Sequence, residues 1–310
     1  MRADSGQSAT HWLSNRERGN DALLRLMAAL SLGLGRRASR VLLYVITAYF
    51  FAFAPRARRA SRRYLRLALA REPGPGDRFR HLLYFASAIH DRVFLLNGRE
   101  QLFALSIEGE ELMRTRLAGG RGAILLGAHI GSFEVIGAIG RRIPGLRVAM
   151  AMYEQNARKI HAVMHAINPA IVTDVVPLGR VDSMLQIAGR IDDGAFVGML
   201  SDRTFGAEPL QAVDLLGERA WLPTGPMRIA AMLGCPVIFM AGMYRGTNRY
   251  RVMFAEVADF AGLRGAERGM AVTDAVNRYA RLVEKCCRED PYNWFNFYDF
   301  WPQARVGGSP

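Results

Sequence analysis

Apolar positions fall into two regimes along the chain. Near the start they form long unbroken runs. Leu26–Gly35 carries no charge, and Val41–Pro55 is uncharged for fifteen residues. Arg36, Arg37 and Arg40 flank the second run on one side, and Arg56, Arg58 and Arg59 on the other. The REPGPGD stretch, Arg71–Asp77, is the clearest punctuation. It divides a basic, hydrophobic helical arm (residues 1–71) from a body (residues 72–310). His81–Leu96 has the apolar spacing of a helix. From residue 122 onward, short apolar runs alternate with helical patterns. The runs predict strands over Gly122–Ala128, Leu146–Met152, Ile171–Leu178, Ala195–Ser201, Pro236–Tyr244 and Tyr250–Val257. Between and after them, helices are predicted over Ser132–Arg142, Glu154–Ile167, Asp182–Arg190, Thr224–Leu233 and Arg268–Cys287. This alternation predicts an α/β fold with a mixed, mostly parallel sheet flanked by helices, and chemistry at the C-terminal ends of its strands. No internal repeat or low-complexity tract interrupts it.

Composition narrows the class. Half of the 310 residues are apolar and 22% are charged, which excludes a disordered chain. Three cysteines, two of them the neighbours Cys286 and Cys287, make no disulfide framework and point to a reducing compartment. The net charge of +13 asks for an acidic partner, and its location says more than its size. Residues 1–71 hold fourteen Arg against Asp4, Glu17 and Asp21, a balance of +11, so the body carries only +2.

An arm both basic and apolar fits a membrane surface. Fifteen helical residues span roughly 22 Å, short of the ~30 Å hydrocarbon core. Arginine at mid-membrane costs about 2.5–3.5 kcal/mol, so the run does not extend inward easily. The favoured reading is a helix lying in, or dipping into, an anionic cytoplasmic leaflet. A tilted single span with snorkelling arginines and a buried core helix are the alternatives. A signal peptide would carry its apolar run nearer the N-terminus. Nucleic acid suits the charge, but the 39 Arg against Lys159 and Lys285 reflect a bias toward Arg, and Leu, Val and Phe interleave them.

Most short motifs carry little. Gly33–Ala38 matches the dinucleotide fingerprint in form but follows a helical run rather than a strand. There is no GxSxG elbow and no Walker A loop. His161 and His165 share a helix face as half of a zinc site, without the Glu a zinc protease needs after the first His, and read as an ordinary helix face. No metal and no cofactor is implied.

Gly127–Glu134, GAHIGSFE, differs. It ends a predicted strand and opens a helix, placing His129 at the strand's C-terminal end among small residues. Glu134 falls about one turn into the helix, where a carboxylate can curl back to the imidazole Nδ1–H and leave Nε2 as a base. By spacing alone, a structural His remains the competing reading. Ser132 reads as a helix cap, with a nucleophile as the alternative. Phe133 reads as packing or as a substrate contact.

HxxxxE after an apolar strand, with its surroundings, resembles the lipid A biosynthesis acyltransferase family of lauroyl and myristoyl transferases. The likeness runs over nearly the whole chain, and the arm is similar to that family's membrane anchor. LSDRTFG at Leu200–Gly206 is similar to the family's second block. Leu215–Gly217 through Pro223–Pro226 and Gly234–Val237 resemble the block ending in "GxPV". Tyr292–Phe295 looks like the closing aromatic block, whose aromatics fill a core, rim an acyl pocket or rest on the membrane. The wording HIGSFEV, LSDR and NWFNFYDFW is closer to a subgroup resembling the acyltransferases of aryl-polyene and xanthomonadin-type pigment clusters. One departure bears on the acceptor: the family's Arg downstream of the His falls here near Asn168–Pro169, and Arg158 and Arg180 are candidates for its place.

The resemblance implies a glycerolipid-acyltransferase-like fold and transfer of an acyl group from an acyl carrier protein or coenzyme A thioester to a lipid hydroxyl or amine. It implies His129 as general base, with Glu134 and Asp202 as carboxylates around it, and no covalent enzyme intermediate. Arg203 or backbone N–H groups near Gly131 are candidates to hold the oxyanion. Gly131, Ser132, Phe133, Arg158, Arg180, Arg203, Thr224 and Gly225 are the candidate substrate-binding residues. Arg141 and Arg142 are candidates to receive an acidic carrier protein. The implied place is the cytoplasmic face of a bacterial inner membrane. A thioesterase using the same His, and a non-catalytic membrane scaffold, are the competing functions.

Overall fold

The computed structural model describes residues 21–172, 174–204 and 208–301. Part of the predicted arm, residues 1–20, lies outside them, as do Thr173 of one predicted strand and Phe205 and Gly206 of the LSDRTFG block.

Seven strands form one sheet in the order β1-β9-β8-β2-β5-β3-β4. They are β1 (Ala104–Glu108), β2 (Ile124–Gly131), β3 (Val148–Tyr153), β4 (Val175–Leu178), β5 (Phe196–Leu200), β8 (Pro236–Tyr244) and β9 (Arg249–Asp259). The run β8-β2-β5-β3-β4 is parallel, β9 is antiparallel to β8, and β1 is parallel to β9. The sheet is therefore mixed and mostly parallel, as the alternation predicts. β2, β5 and β8 lie near the middle with helices on both faces, which is why they read as unbroken apolar runs.

One face packs on α2 (Pro55–Leu69), α7 (Ser183–Asp192), α8 (Gly225–Leu233) and α9 (Gly265–Glu289), with Leu65, Ile187, Ala230 and Tyr279 buried among the strand residues. The other packs on α3 (Pro75–Leu96), α4 (Glu110–Ala118) and α5 (Phe133–Gly140), burying Phe94, Met113 and Val135. α6 (Glu154–Ile167) follows β3.

Four elements, β1, α4 and the two strands of a hairpin, were not predicted. β1 and α4 are short, and the ALSIE run of β1 alternates between half-buried and exposed positions rather than presenting an apolar run. β6 (Leu210–Leu215) and β7 (Glu218–Pro223) form a separate hairpin. Its two-residue turn, Leu216-Gly217, holds both residues at positive φ, and leucine there is not a turn signal.

The described part of the arm is one long helix, α1 (Asp21–Phe53), broken at Gly35, whose φ of 76° leaves the helical region. A bend of 96° separates it from α2. Among the described residues no single helix is long and apolar enough to cross a membrane, though α1 and α2 together pass that test as a bent pair. α1 is fastened to the body by a buried ion pair. Arg36 donates two hydrogen bonds to Asp91 of α3, at 2.7 and 2.8 Å, and Tyr250 Oη donates to the same carboxylate at 2.9 Å. Removing one member of such a pair strands a charge in the interior, so Arg36→Met is expected to cost about 3–5 kcal/mol in urea unfolding. An unchanged unfolding midpoint would show that α1 does not contribute to the stability of the body.

Candidate active site

β2 outlasts its neighbour. It pairs with β5 only as far as Gly127, opposite Leu200, then continues to Gly131. The vacated flank is filled from the C-terminal segment. Phe295 N–H donates to His129 O at 2.8 Å, and Gly131 N–H donates to Asn293 O at 2.9 Å. The NWFN sequence thus runs antiparallel beside the end of β2 and delivers its side chains to the first residues after β5.

Those residues are Ser201 and Asp202. Asp202 is buried, and its carboxylate accepts four hydrogen bonds. His129 donates two of them, Nδ1–H to Oδ1 at 2.8 Å and the backbone N–H to Oδ2 at 2.9 Å. Trp294 Nε1–H and the Asn296 side-chain amide supply the others, to Oδ2 at 2.8 and 2.9 Å. A carboxylate only accepts, so the proton of a neutral His129 sits on Nδ1. Nε2 is left with its lone pair and has no hydrogen-bond partner among the described residues, on a side chain that lines the main cavity. Burial pushes the imidazole below its ordinary value; Asp202 opposes that and Arg203 adds to it. Burial alone would raise the Asp202 carboxyl, but the attraction of His129 and Arg203 and the hydrogen bonds outweigh it and hold the group ionised.

The partner of Nδ1 is therefore Asp202 and not Glu134. Glu134, on the first turn of α5, forms an ion pair with Arg92 of α3 at 2.7 Å and accepts from Ser132 Oγ at 2.9 Å. Its two oxygens are engaged away from the imidazole, although His129, Glu134 and Arg92 line the same cavity. Ser132 sits at the N-cap of α5, and its hydroxyl is committed to Glu134 rather than to His129. Gly131 is required for close approach: a Cβ there would lie 1.9 Å from Gly242 O, at a φ of 66°. The N–H groups of Gly131 and Ser132 are used by Asn293 O and Gly242 O. Neither is free to hold an oxyanion.

Arg203 lies half-buried against the same segment, donating to Asn296 Oδ1 at 2.8 Å and to Phe295 O at 3.3 Å, and it lines the cavity. Phe133 and Gly225 line it as well. Thr224 caps α8 from behind, its hydroxyl donating to Pro209 O at 3.3 Å. Arg180 reaches the cavity, with Asp182 at 3.5 Å. Arg158 does not: it is 74% exposed and pairs with Glu154 one turn back on α6, an ordinary helix-surface pair. At the register where the resemblance expects Arg, Asn168 caps α6 and donates to Leu96 O at 2.8 Å. Arg141 donates to Leu95 O, Arg142 pairs with Glu100, and both rim the cavity.

The aromatic block divides its labour. Trp294 and Trp301 are buried in the core, while Phe295, Phe297 and Tyr298 line the cavity. One more residue ties this block to α3. His81 is fully buried between Ser61 Oγ and Trp294 O, 2.9 Å from each, and burial pushes it down to about 4. A carbonyl can only accept, so His81 Nε2–H donates and fixes the Trp294 backbone.

The cavity itself measures about 2340 Å³, well beyond the ~300–1,000 Å³ of ordinary small-molecule sites. It is mostly apolar. Leu105, Met113 and Phe254 line it, as do Met152, Leu178 and Met164, together with His129. The sequence profile described as bacterial lipid A biosynthesis acyltransferase matches residues 90–302. The chain belongs to that family. No curated protein matches it. The family is one of acyltransferases, so the reaction needs an acyl donor and a lipid acceptor. The match takes in His129, Glu134, Asp202 and the aromatic block, and leaves α1 and α2 outside it. Trp294, Asn296 and Arg92 were not predicted as site residues. Trp294 and Asn296 lie within the NWFNFYDFW run, but only the pairing of that run with β2 puts them beside Asp202.

Proposed function

We propose that this acyltransferase moves a fatty or polyene acyl group from a carrier thioester to a hydroxyl or amine of a lipid, with His129 as general base. One observation carries the reading: an imidazole whose Nδ1 is locked by a buried carboxylate and whose Nε2 has no partner among the described residues, on the wall of a lipid-sized apolar cavity. Nε2 takes the proton as the acceptor oxygen or nitrogen attacks the thioester carbonyl carbon. The new C–O or C–N bond forms, the C–S bond breaks, and the proton passes to the departing thiolate. The thioester is already activated, so no acyl-enzyme is required. Asp202 holds the tautomer and supports the imidazolium, and Trp294 and Asn296 hold Asp202. Arg203, whose charge acts on both His129 and Asp202, is assigned to the oxyanion. The Glu134–Arg92 pair is assigned to the acceptor side of the cavity.

The donor is an acyl carrier protein thioester, for which Arg141 and Arg142 at the cavity rim offer the complementary charge, with coenzyme A as the alternative. The arm associates with the cytoplasmic face of the inner membrane. In support, Leu34, Val41, Val45, Tyr49 and Phe53 on α1 are each more than half exposed. The likeness of HIGSFEV, LSDR and NWFNFYDFW to pigment-cluster enzymes favours an aryl-polyene or related acyl group.

Incubation of the full-length protein with acyl carrier protein thioester and an extract of bacterial membrane lipids tests this. Mass spectrometry is expected to show a lipid heavier by one acyl group, formed in step with free carrier thiol. Free fatty acid as the sole product would make the protein a thioesterase, and no consumption of thioester would leave the scaffold reading.

A further inference from the structure

The right-angled bend after α1 opens a second, smaller cleft on the outside of the molecule. Arg58, Arg59 and Arg62 of α2 and Arg78 of α3 line it, with Pro55 at its edge, around a volume of about 350 Å³. Other arginines of this fold meet carboxylates: Arg251 meets Glu108, Glu289 and Asp290, Arg36 meets Asp91, and Arg63 meets Glu218 and Asp299. Among the described residues, Arg62 alone in the cleft has one, Glu72, and both side chains are exposed. Arg58 lies over the Phe51 ring at 5.5 Å, and Arg78 reaches the Gly74 carbonyl at 3.5 Å. Arg59 has no ion-pair partner among the described residues. Four guanidinium groups converging with one carboxylate between them repel one another, and that repulsion is relieved by an anion from outside.

The neighbouring surface says where the anion comes from. The exposed apolar side chains of α1 run through Val41, Val45 and Tyr49 to Phe53, two residues before the cleft begins at Pro55. Phe51 packs on Phe79 of α3 at 5.8 Å, while Phe50 lines the main cavity. An apolar helix face, a row of arginines and a wall of the main cavity therefore meet at one corner. Acyl chains beside an apolar face, with phosphates level with the arginines, is the layering of a bilayer interface.

We propose that the cleft of Arg58, Arg59, Arg62 and Arg78 is a phosphate site that takes the headgroup phosphodiester of an anionic membrane phospholipid. A lipid held there sets the depth of α1 in the leaflet and turns that wall of the cavity toward the bilayer. The inference deepens the membrane reading of the arm and rests on it.

Co-sedimentation of the full-length protein with vesicles of phosphatidylcholine, and of phosphatidylcholine mixed with phosphatidylglycerol, separates the two. Wild type is expected to bind the mixed vesicles at least about tenfold more tightly. The combined Arg58→Gln, Arg59→Gln, Arg62→Gln and Arg78→Gln variant loses most of that preference. It keeps its binding to phosphatidylcholine, which also shows that it is folded. Removing the same charge elsewhere, by Arg228→Gln, Arg264→Gln, Arg278→Gln and Arg281→Gln, leaves the preference within about twofold. Equal losses in both charge variants would mean diffuse attraction and overturn the site. So would displacement from the mixed vesicles by inorganic phosphate at millimolar levels, which would make free phosphate the ligand. Unchanged vesicle binding with lost acyl carrier protein binding would assign the cleft to the carrier and overturn the lipid. Failure of the membrane reading has its own signature: a Val41→Ser, Val45→Ser and Tyr49→Ser variant that binds phosphatidylcholine as well as wild type overturns that reading, and the phosphate site with it.

Discussion

His129→Ala is expected to lower kcat for acyl transfer by about 10²–10⁴-fold, the range of a positioned general base. KM for the thioester is expected to change little, because the imidazole is one small part of a very large apolar wall. Steady-state kinetics with carrier thioester and lipid acceptor measure both. The pH profile of the wild type carries the same information. His129 acts only when neutral, so activity falls as pH drops through its pKa. Burial lowers that pKa, so the acid limb of kcat/KM is expected below the ordinary histidine value of about 6.5. Full turnover in His129→Ala would end the mechanism.

Asp202→Asn carries the second large effect, for a different reason. The amide has the shape of the carboxylate but not its charge. It no longer holds the proton on Nδ1, so a fraction of the imidazoles carries it on Nε2 and cannot act as base. A fall in kcat on the order of 10²–10⁴-fold is expected. The acid limb should also move to lower pH, since the Asp202 charge is what opposes the effect of burial on His129. That shift marks a positioning role; general damage to the fold would lower the plateau and leave the limb in place. Stability falls too, by about 1–3 kcal/mol, because a neutral amide oxygen accepts more weakly than the carboxylate from the His129 N–H, Trp294 Nε1–H and Asn296 amide donors that share Oδ2. Asn296→Ala, which removes one donor and leaves the charge, is expected to be milder in both respects.

The fold was legible because its central strands are buried on both faces. β2, β5 and β8 read as unbroken apolar runs, and the helices between them carry the helical period. What escaped lay at the edges and in turns: β1 with its half-buried alternation, and the β6–β7 hairpin around a turn with leucine at positive φ. The strand carrying His129 was read as Gly122–Ala128 and runs to Gly131, because the paired C-terminal segment extends its ladder beyond β5.

The site was legible in part. His129 at the end of a central strand follows from local pattern. Its partner does not. Spacing put a carboxylate at Glu134, one helical turn away, where it can reach either back to the imidazole or across to α3. Arg92 decides the second. Asp202 is 73 residues from His129, and Trp294 is 92 residues beyond Asp202. Only sheet order brings them together. Arg158, chosen as a substitute for an absent arginine, points to solvent on α6, whereas Asn168 at the expected register is a helix cap.

The central claim is that His129 drives acyl transfer to a membrane lipid. Its most direct test compares, by mass spectrometry, the lipids of cells with the gene, without it, and with His129→Ala expressed at the same level. The account predicts one lipid class heavier by a single acyl or polyene group in the first cells, and absent from the other two. The same lipid in the His129→Ala cells, at wild-type abundance, would contradict it.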